Sequence, residues 1–470
     1  MRKTKIICTI GPACSDEATL RKMCLAGMNV ARLNFSHGTH QEHLERIHML
    51  QKVREELGIP LPIMLDTKGP EYRIGCFENG RIELKEGDPF TLTTRDVPGN
   101  QEMVSVSYKG LCAQLQTGDR VLINNGLLVL EVLESDSENT RCRVITGGIL
   151  SDRKSMSFPG HVFSHEYLSE QDKADILFGA ENDVDFIACS FVSRKEDLIA
   201  VHDFLTAHGI SNIDLIAKIE NRAGVDHLEE ICAHCDGVMI ARGDLGVEIP
   251  YEELPAIQKH MITKARMLGK RVITATEMLE SMINNIRPTR AEISDVANAV
   301  YDGTSAIMLS GETAAGKYPV QAVEAMSRIA LETEKDIRYD KRFRNAEFKM
   351  QNIVDAISHA VCGMSIDIGA KVIVVCSLSG RTVRMVSRFR APTDILGVTT
   401  DVKAWRKLSL SWGVTPALSE RFDSTDVLFF NAKNQARQVF GLKKGERIVI
   451  SGGLANGVSG NTNIIKAEII

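Results

Sequence analysis

Four things are scarce in this sequence, and each scarcity closes off a class of protein. No stretch of the 470 residues approaches the roughly 18 consecutive apolar residues needed to span a bilayer, and the apolar opening run is too short and interrupted for a secretory leader. A cytoplasmic protein with no membrane partner is expected. Charge of one sign is scarce: 56 Lys and Arg against 61 Asp and Glu leave a net charge of −5, which gives no electrostatic ground for a nucleic-acid partner. Paired cysteines are scarce as well, because the 11 present are odd in number and scattered singly. Cys232 and Cys235 form one CxxC without a second pair, so the thiols are expected to be buried rather than to bind metal or cycle redox states. Finally there is no compositional bias: 44% hydrophobic and 25% charged residues are ordinary globular proportions.

What is present is length and alternation. A chain of 470 residues exceeds what one core usually supports, so about three domains are expected. Apolar, β-rich runs at 5–10, 29–34, 62–66, 185–191, 214–219, 237–241, 271–275 and 305–309 alternate with helix-period segments at 16–26, 40–57, 195–207, 223–233, 253–268, 291–301 and 319–334. About eight such strands close a TIM (β/α)8 barrel, which makes the fold class α/β. After the third strand the pattern breaks for roughly 95 residues, too long for a βα loop. Short, turn-punctuated runs at 81–84, 89–94, 103–106, 120–123, 127–133 and 141–145 make this insert a small β barrel. Beyond about Asn345, strands at 371–377, 394–398 and 447–451 give a C-terminal α/β domain with a smaller doubly wound sheet. The expected domains are the barrel over 1–69 and 166–345, the inserted lid over 70–165, and a C-terminal regulatory domain over 346–470.

Ionisable residues interrupt the apolar strands at their C-terminal ends, where a TIM barrel keeps its active site. The strand ends read Asn34-Phe35-Ser36, Asp66-Thr67-Lys68, Lys218-Ile219-Glu220-Asn221, Ala241-Arg242-Gly243-Asp244, Thr276-Glu277 and Ser310-Gly311-Glu312. Charges gathered at one mouth must compensate each other or recruit ions. Glu220 and Asp244 offer the hard oxygen donors that suit Mg²⁺ or Mn²⁺. A structural salt-bridge network would explain the charge but not its placement. Gly311 to Tyr318 reads GETAAGKY, where Tyr318 replaces the hydroxyl residue of a Walker loop, so that reading is rejected.

Several segments resemble motifs of the pyruvate kinase family, in that family's order. They are Asn34-Phe35-Ser36-His37-Gly38, Asp66-Thr67-Lys68-Gly69-Pro70-Glu71, Lys218-Ile219-Glu220-Asn221, Ala241-Arg242-Gly243-Asp244-Leu245-Gly246-Val247-Glu248, Arg287-Pro288-Thr289-Arg290-Ala291-Glu292 and Met308-Leu309-Ser310-Gly311-Glu312-Thr313. The resemblance implies phosphoryl transfer from phosphoenolpyruvate to ADP, with Mg²⁺ (or Mn²⁺) and K⁺ as cofactors, in a homotetramer. It implies that Arg32 holds the substrate phosphate, that Glu220 and Asp244 ligate the divalent metal, and that Asn34, Ser36, Asp66 and Thr67 make the K⁺ site. Lys218 is then the phosphoryl neighbour, Thr276 lies near the carbon that is protonated, backbone at Gly243 meets the substrate carboxylate, and Arg73 and Lys154 contact the nucleotide. Such a set suits a reaction whose barrier is lowered chiefly by fixed positive charge. Glu71, where some relatives carry lysine, implies a K⁺ requirement. Lyases and mutases that bind similar acids in metal-dependent barrels lack a nucleotide lid, and the insert argues against them.

Two lid segments depart from the family pattern: Asn124-Asn125-Gly126 stands where paired aspartates precede glycine, and Lys154-Ser155-Met156-Ser157-Phe158 replaces a version with glycine, valine and asparagine. Glu277 and Tyr72 are smaller departures. In the last domain, Ser377, Ser379, Gly380, Arg381 and Thr382 lie where a strand opens into a helix, a phosphate nest that the glycine-rich stretch 451–463 could close over. With the resemblance, this is where a phosphorylated allosteric effector is expected.

Overall fold

The eight apolar runs pair because each is buried on both faces, which only a sheet clad in helices permits. In the computed structural model, which describes residues 1–453 and 462–470, they are β1 Lys5–Thr9, β2 Val30–Asn34, β3 Ile63–Asp66, β4 Phe186–Cys189, β5 Asp214–Ile219, β6 Gly237–Ala241, β7 Arg271–Ala275 and β8 Ala306–Leu309. They close in the order β1-β8-β7-β6-β5-β4-β3-β2, every pairing parallel. Every strand contributes to the interior, with Ile7, Val30, Met64, Phe186, Ile216, Met239, Ile273 and Ala306 joined by Ala188, Ala275 and Met308, and Leu410 packs into the same cluster. Their neighbours, such as Ile6, Cys8, Leu33 and Leu65, pack outward against helices.

Two expectations need correction. The run at 185–191 stops at Cys189 because Phe191 takes φ 56°, a left-handed conformation that ends a strand. The helix expected over 223–233 is two pieces, Arg222–Asp226 and Leu228–Ala233, meeting at His227. A helix missing from the sequence reading, Glu170–Glu181, supplies the crossover that the insert displaced. Ser169 caps it and Asp172 reaches back to the cap, a capping-box signal present in the sequence.

The insert is a mixed seven-stranded sheet plus a separate pair, Arg81–Leu84 with Gly148–Ser151, around one core that includes Phe90, Leu92, Val104, Val121, Leu130 and Val144. Its shortest strands, Tyr72–Arg73 and Ser155–Ser157, are too brief to show alternation, and they pair with each other beside the barrel. In the C-terminal domain β9 Val372–Cys376, β10 Asp394–Thr399, β11 Val414–Leu418, β12 Arg447–Gly452 and β13 Ile464–Ile469 run in the order β11-β10-β9-β12-β13. The last is antiparallel. Strand β11 escaped the sequence reading because it contains Pro416, which an edge strand tolerates.

This domain docks under the N-terminal ends of the barrel strands. Lys5 Nζ donates to the Val414 carbonyl at 2.7 Å, Arg406 Nε reaches Asp185 Oδ1 at 2.7 Å, and Lys407 Nζ donates to Asp214 Oδ1 at 2.7 Å. The opposite, C-terminal mouth is left to the lid. Among the described residues, no helix is long and apolar enough to cross a membrane.

Candidate active site

The first five strands deliver polar side chains into one cluster at the mouth. Asp66, fully buried at the end of β3, accepts from Arg32 Nε at 2.7 Å and from Lys218 Nζ at 3.0 Å. Arg32, on the adjacent β2, also donates to Thr9 Oγ1 at 2.9 Å. Lys218 lies 3.1 Å from Glu220 Oε1 and donates to Ser190 Oγ at 2.6 Å. Five strands thus meet over a few ångströms.

The electrostatics of the cluster are lopsided. Burial acts against the Lys218 ammonium, but Asp66 and Glu220 outweigh it and hold its proton tightly. Asp66 is likewise penalised by burial, yet Arg32 and Lys218 bring its carboxyl below the ordinary range. Glu220 goes the other way: burial, only partly opposed by Lys218 and reinforced by Asp244, pushes it up to about 7. Asp244, raised by burial and by Glu71, is hydrogen-bonded with Glu220. Its surface opens on the cleft, but the surrounding acids crowd it. Two adjoining carboxyls that resist ionising together are short of positive charge, and a hard divalent cation would supply it. Among the described residues no group of three or more acidic, histidine or cysteine ligands gathers elsewhere or here, so the pair would share such an ion with water and substrate oxygens.

The backbone at the mouth is strained where these groups are aimed. Phe191, Thr276 and Glu277 have φ of 56°, 68° and 54°, conformations that non-glycine residues adopt at a cost of roughly 1–3 kcal/mol each. The turn at Phe191 points its N–H at Glu220 Oε2, 2.6 Å away. That at Thr276 sets its hydroxyl 2.8 Å from the Gly243 N–H, which joins two expected substrate contacts directly. Arg242 braces the same place by donating to the Thr276 and Glu277 carbonyls and pairing with Asp295 at 2.6 Å.

The remaining expected residues divide. Asn34 stands beside Asp66 in strand register, and its Oδ1 accepts the Ser36 N–H at 3.2 Å. Thr67 is buried, with its hydroxyl accepting from the Ser190 N–H. Asp66 is therefore already spoken for by two cations, and a K⁺ ion would share it with them. Arg73 and Lys154 sit on the lid, where Arg73 makes a two-pronged pair with Glu71 at 2.5 and 2.9 Å. The three residues at 124–126 have φ of 57°, 56° and 80°, conformations that asparagine, aspartate and glycine tolerate better than other residues, so the exchange of aspartate for asparagine there has no backbone explanation. The Walker-like segment is one helical turn, Gly311–Ala314, whose buried Glu312 accepts the Ser310 and Leu279 N–H groups.

Far from the mouth, Ser377, Ser379, Gly380, Arg381 and Thr382 do form the turn from β9 into helix Arg381–Arg388, with Gly380 at φ 73°. Thr382 is buried and its hydroxyl lies 2.7 Å from that of Thr462. Of the glycine-rich stretch expected to cover them, residues 454–461 lie outside the described residues.

Ser190, Phe191 and Thr9 were missed by the sequence reading. The signal was present for the first two, since Ser190-Phe191 ends a strand just as the recognised motifs do.

A closed α/β barrel whose mouth gathers buried charged side chains beneath a lid has the layout of a barrel enzyme. The family models for the pyruvate kinase barrel domain and the pyruvate kinase alpha/beta domain match residues 1–323 and 355–467. Pyruvate kinases of Clostridium acetobutylicum and Geobacillus stearothermophilus are 42% and 45% identical to the chain, each over all of it, covering 100% and 80% of those proteins. The crystal structure of a pyruvate kinase from Cryptosporidium parvum superposes with a TM-score of 0.94 at 38% identity, covering 100% of this chain and 96% of that one. The chain belongs to the pyruvate kinase family, and is an enzyme of that kind.

Proposed function

We propose that the protein transfers the phosphoryl group of phosphoenolpyruvate to ADP, yielding pyruvate and ATP, at the barrel mouth. The observation that carries this reading is the contiguous set Arg32, Asp66, Lys218, Glu220 and Asp244, in which two raised carboxyls adjoin a firmly charged lysine. Glu220 and Asp244 would hold Mg²⁺ or Mn²⁺. When bound, that ion supplies charge neutralisation for phosphate and carboxylate oxygens. Lys218 and Arg32 present fixed positive charge to the phosphoryl oxygens as negative charge spreads over them. The Gly243 N–H exchanges the Thr276 hydroxyl for the substrate carboxylate, which frees that hydroxyl next to the reacting carbon. Arg73 and Lys154 bring positive charge from the lid to the nucleotide phosphates.

The further readings rest on family likeness: a homotetramer, a cytoplasmic location, a K⁺ site at Asn34, Ser36, Asp66 and Thr67, and a phosphorylated effector at Ser377–Thr382 that lowers the apparent KM for phosphoenolpyruvate. Substrate curves with sugar phosphates and nucleoside monophosphates test the last, and a panel that leaves every curve unmoved removes it. The experiment for the reaction itself is a coupled assay for pyruvate from phosphoenolpyruvate and ADP, with and without Mg²⁺. Absence of Mg²⁺-dependent pyruvate overturns the proposal. In the same assay at fixed ionic strength, K⁺ is expected to accelerate the enzyme strongly over tetramethylammonium, and Glu71→Lys to relieve part of that need. Equal rates in both salts would leave Glu71 as no more than Arg73's partner.

A further inference from the structure

We infer that Glu248 is the positioning residue that registers the lid's nucleotide-facing strand against the metal-ligating helix of the barrel. The helix Arg242–Glu248 leaves the end of β6 and spans seven residues. Its first turn carries Gly243 and Asp244. Its middle is clamped by Leu245, wholly buried in the barrel core, and its start by the five contacts of Arg242. The last turn faces the lid instead. Glu248 Oε1 accepts the Phe158 N–H at 3.0 Å and the carboxylate also bonds the Ser157 hydroxyl. One residue earlier, the Val247 side chain lies against the lid turn at Gly126, 3.6 Å from where a Cβ would stand.

The placement matters because of what the gripped strand carries. Ser155–Ser157 pairs with Tyr72–Arg73 in the register Ser155↔Arg73 and Met156↔Tyr72, and Lys154 immediately precedes it. Fixing the Phe158 N–H therefore sets the position of both lid cations relative to Asp244, four residues before Glu248 on one rigid helix. Pro159 favours the extended backbone that points this N–H outward. Among the described residues, Glu248 is the barrel side chain that hydrogen-bonds the lid at residues 71–165; other polar crossings lie at the hinge, where the Gly69 N–H meets Asp172 and Glu166 meets Lys173. No cation pairs with Glu248 among those residues, and burial raises its carboxyl to about 7. A carboxylate used only to stabilise the fold would more cheaply sit beside a cation. The departure at Ser157 contributes to the grip.

The inference rests on the proposed reaction, so the test has two readouts in the full-length protein. Glu248→Ala is expected to raise the KM for ADP by about tenfold, the worth of one charge-assisted hydrogen bond, with a much smaller change for phosphoenolpyruvate. Hydrogen exchange at residues 155–158 should accelerate in the same variant without substrates. Glu248→Gln keeps an acceptor oxygen and should restore both. Unchanged exchange at 155–158 in Glu248→Ala overturns the inference, as does an equal loss for both substrates with a lowered Tm. Faster exchange in an enzyme whose wild type makes no pyruvate would overturn the reaction and leave the latch standing.

Discussion

The two ends of the barrel use the same kinds of charged residue to opposite ends. At the floor, two acids are over-compensated: Asp214 meets Arg271, Lys407 and Arg384, and these partners pull its carboxyl well below the usual range despite burial. Asp183, shared by Arg406 and Lys403, is lowered too, while burial keeps the neighbouring Asp185 raised in spite of Arg406. At the mouth, Glu220 is driven up to about 7 and Asp244 upward beside it. Left-handed non-glycine backbone marks both ends, at Phe191, Thr276 and Glu277 on the mouth and at Asp183 on the floor, so it is the charge balance that separates them. A region whose charges are satisfied by protein groups holds two domains together, whereas one left short of positive charge is built to gain a ligand.

The sharpest break in that contrast would come from Lys218→Met. Removing the mouth's fixed charge should lower kcat per folded molecule on the order of a thousandfold, a loss that activity corrected for the folded fraction separates from any drop in the thermal melt. A near-normal kcat at saturating substrate would remove Lys218 from the phosphoryl-stabilising role.

Arg406→Ala is the counterpart at the floor. It strands the fully buried Asp185 and removes one of Asp183's three cationic partners, so unfolding free energy from denaturant titration should fall by about 3–5 kcal/mol. The kcat per folded molecule should hold. A large kcat change with intact stability would erase the distinction between the ends.

Glu220→Gln sharpens the mouth's half of the comparison. An amide lacks the charge a hard cation wants, so Mn²⁺ titration should give markedly weaker binding, with little loss of fold. An unchanged titration curve would take Glu220 out of the ligand set.

The smallest effect, taken per pH unit, concerns Lys5, a cation at the floor that burial works against. Burial, with Arg2 adding repulsion, lowers its ammonium from 10.5 to about 7 while its Nζ is bonded to the Val414 carbonyl. Between those values the unfolded chain holds a proton that the folded chain has released. Stability therefore rises with pH across that window, by at most about 1.4 kcal/mol per pH unit, and the penalty is complete below it. Lys5→Met should flatten this slope and stabilise most near and below pH 7. Denaturation midpoints from pH 6 to 9 that keep the wild-type slope would place the charge elsewhere.

Barrel, lid and last domain were legible because strand and helix periods leave strong patterns in long segments, and because active-site residues in this fold must follow strand ends. Asp66, Lys218, Glu220 and Asp244 were singled out by that rule and the family motifs and Arg32 by the resemblance alone, and the structure brings these side chains together at one mouth. Strands of two or three residues, such as Tyr72–Arg73, have no period to read, and β11 was hidden by its proline. Glu248 looked like the tail of a motif.

By itself the sequence determined which residues would gather at the mouth, since strand direction alone sends every C-terminal end the same way. Only the tertiary structure decided how their charges balance. Whether a carboxylate is satisfied or starved depends on distances of a few ångströms across strands that are far apart in the chain, as between Asp66 and Lys218, and on how much water the packing leaves around them.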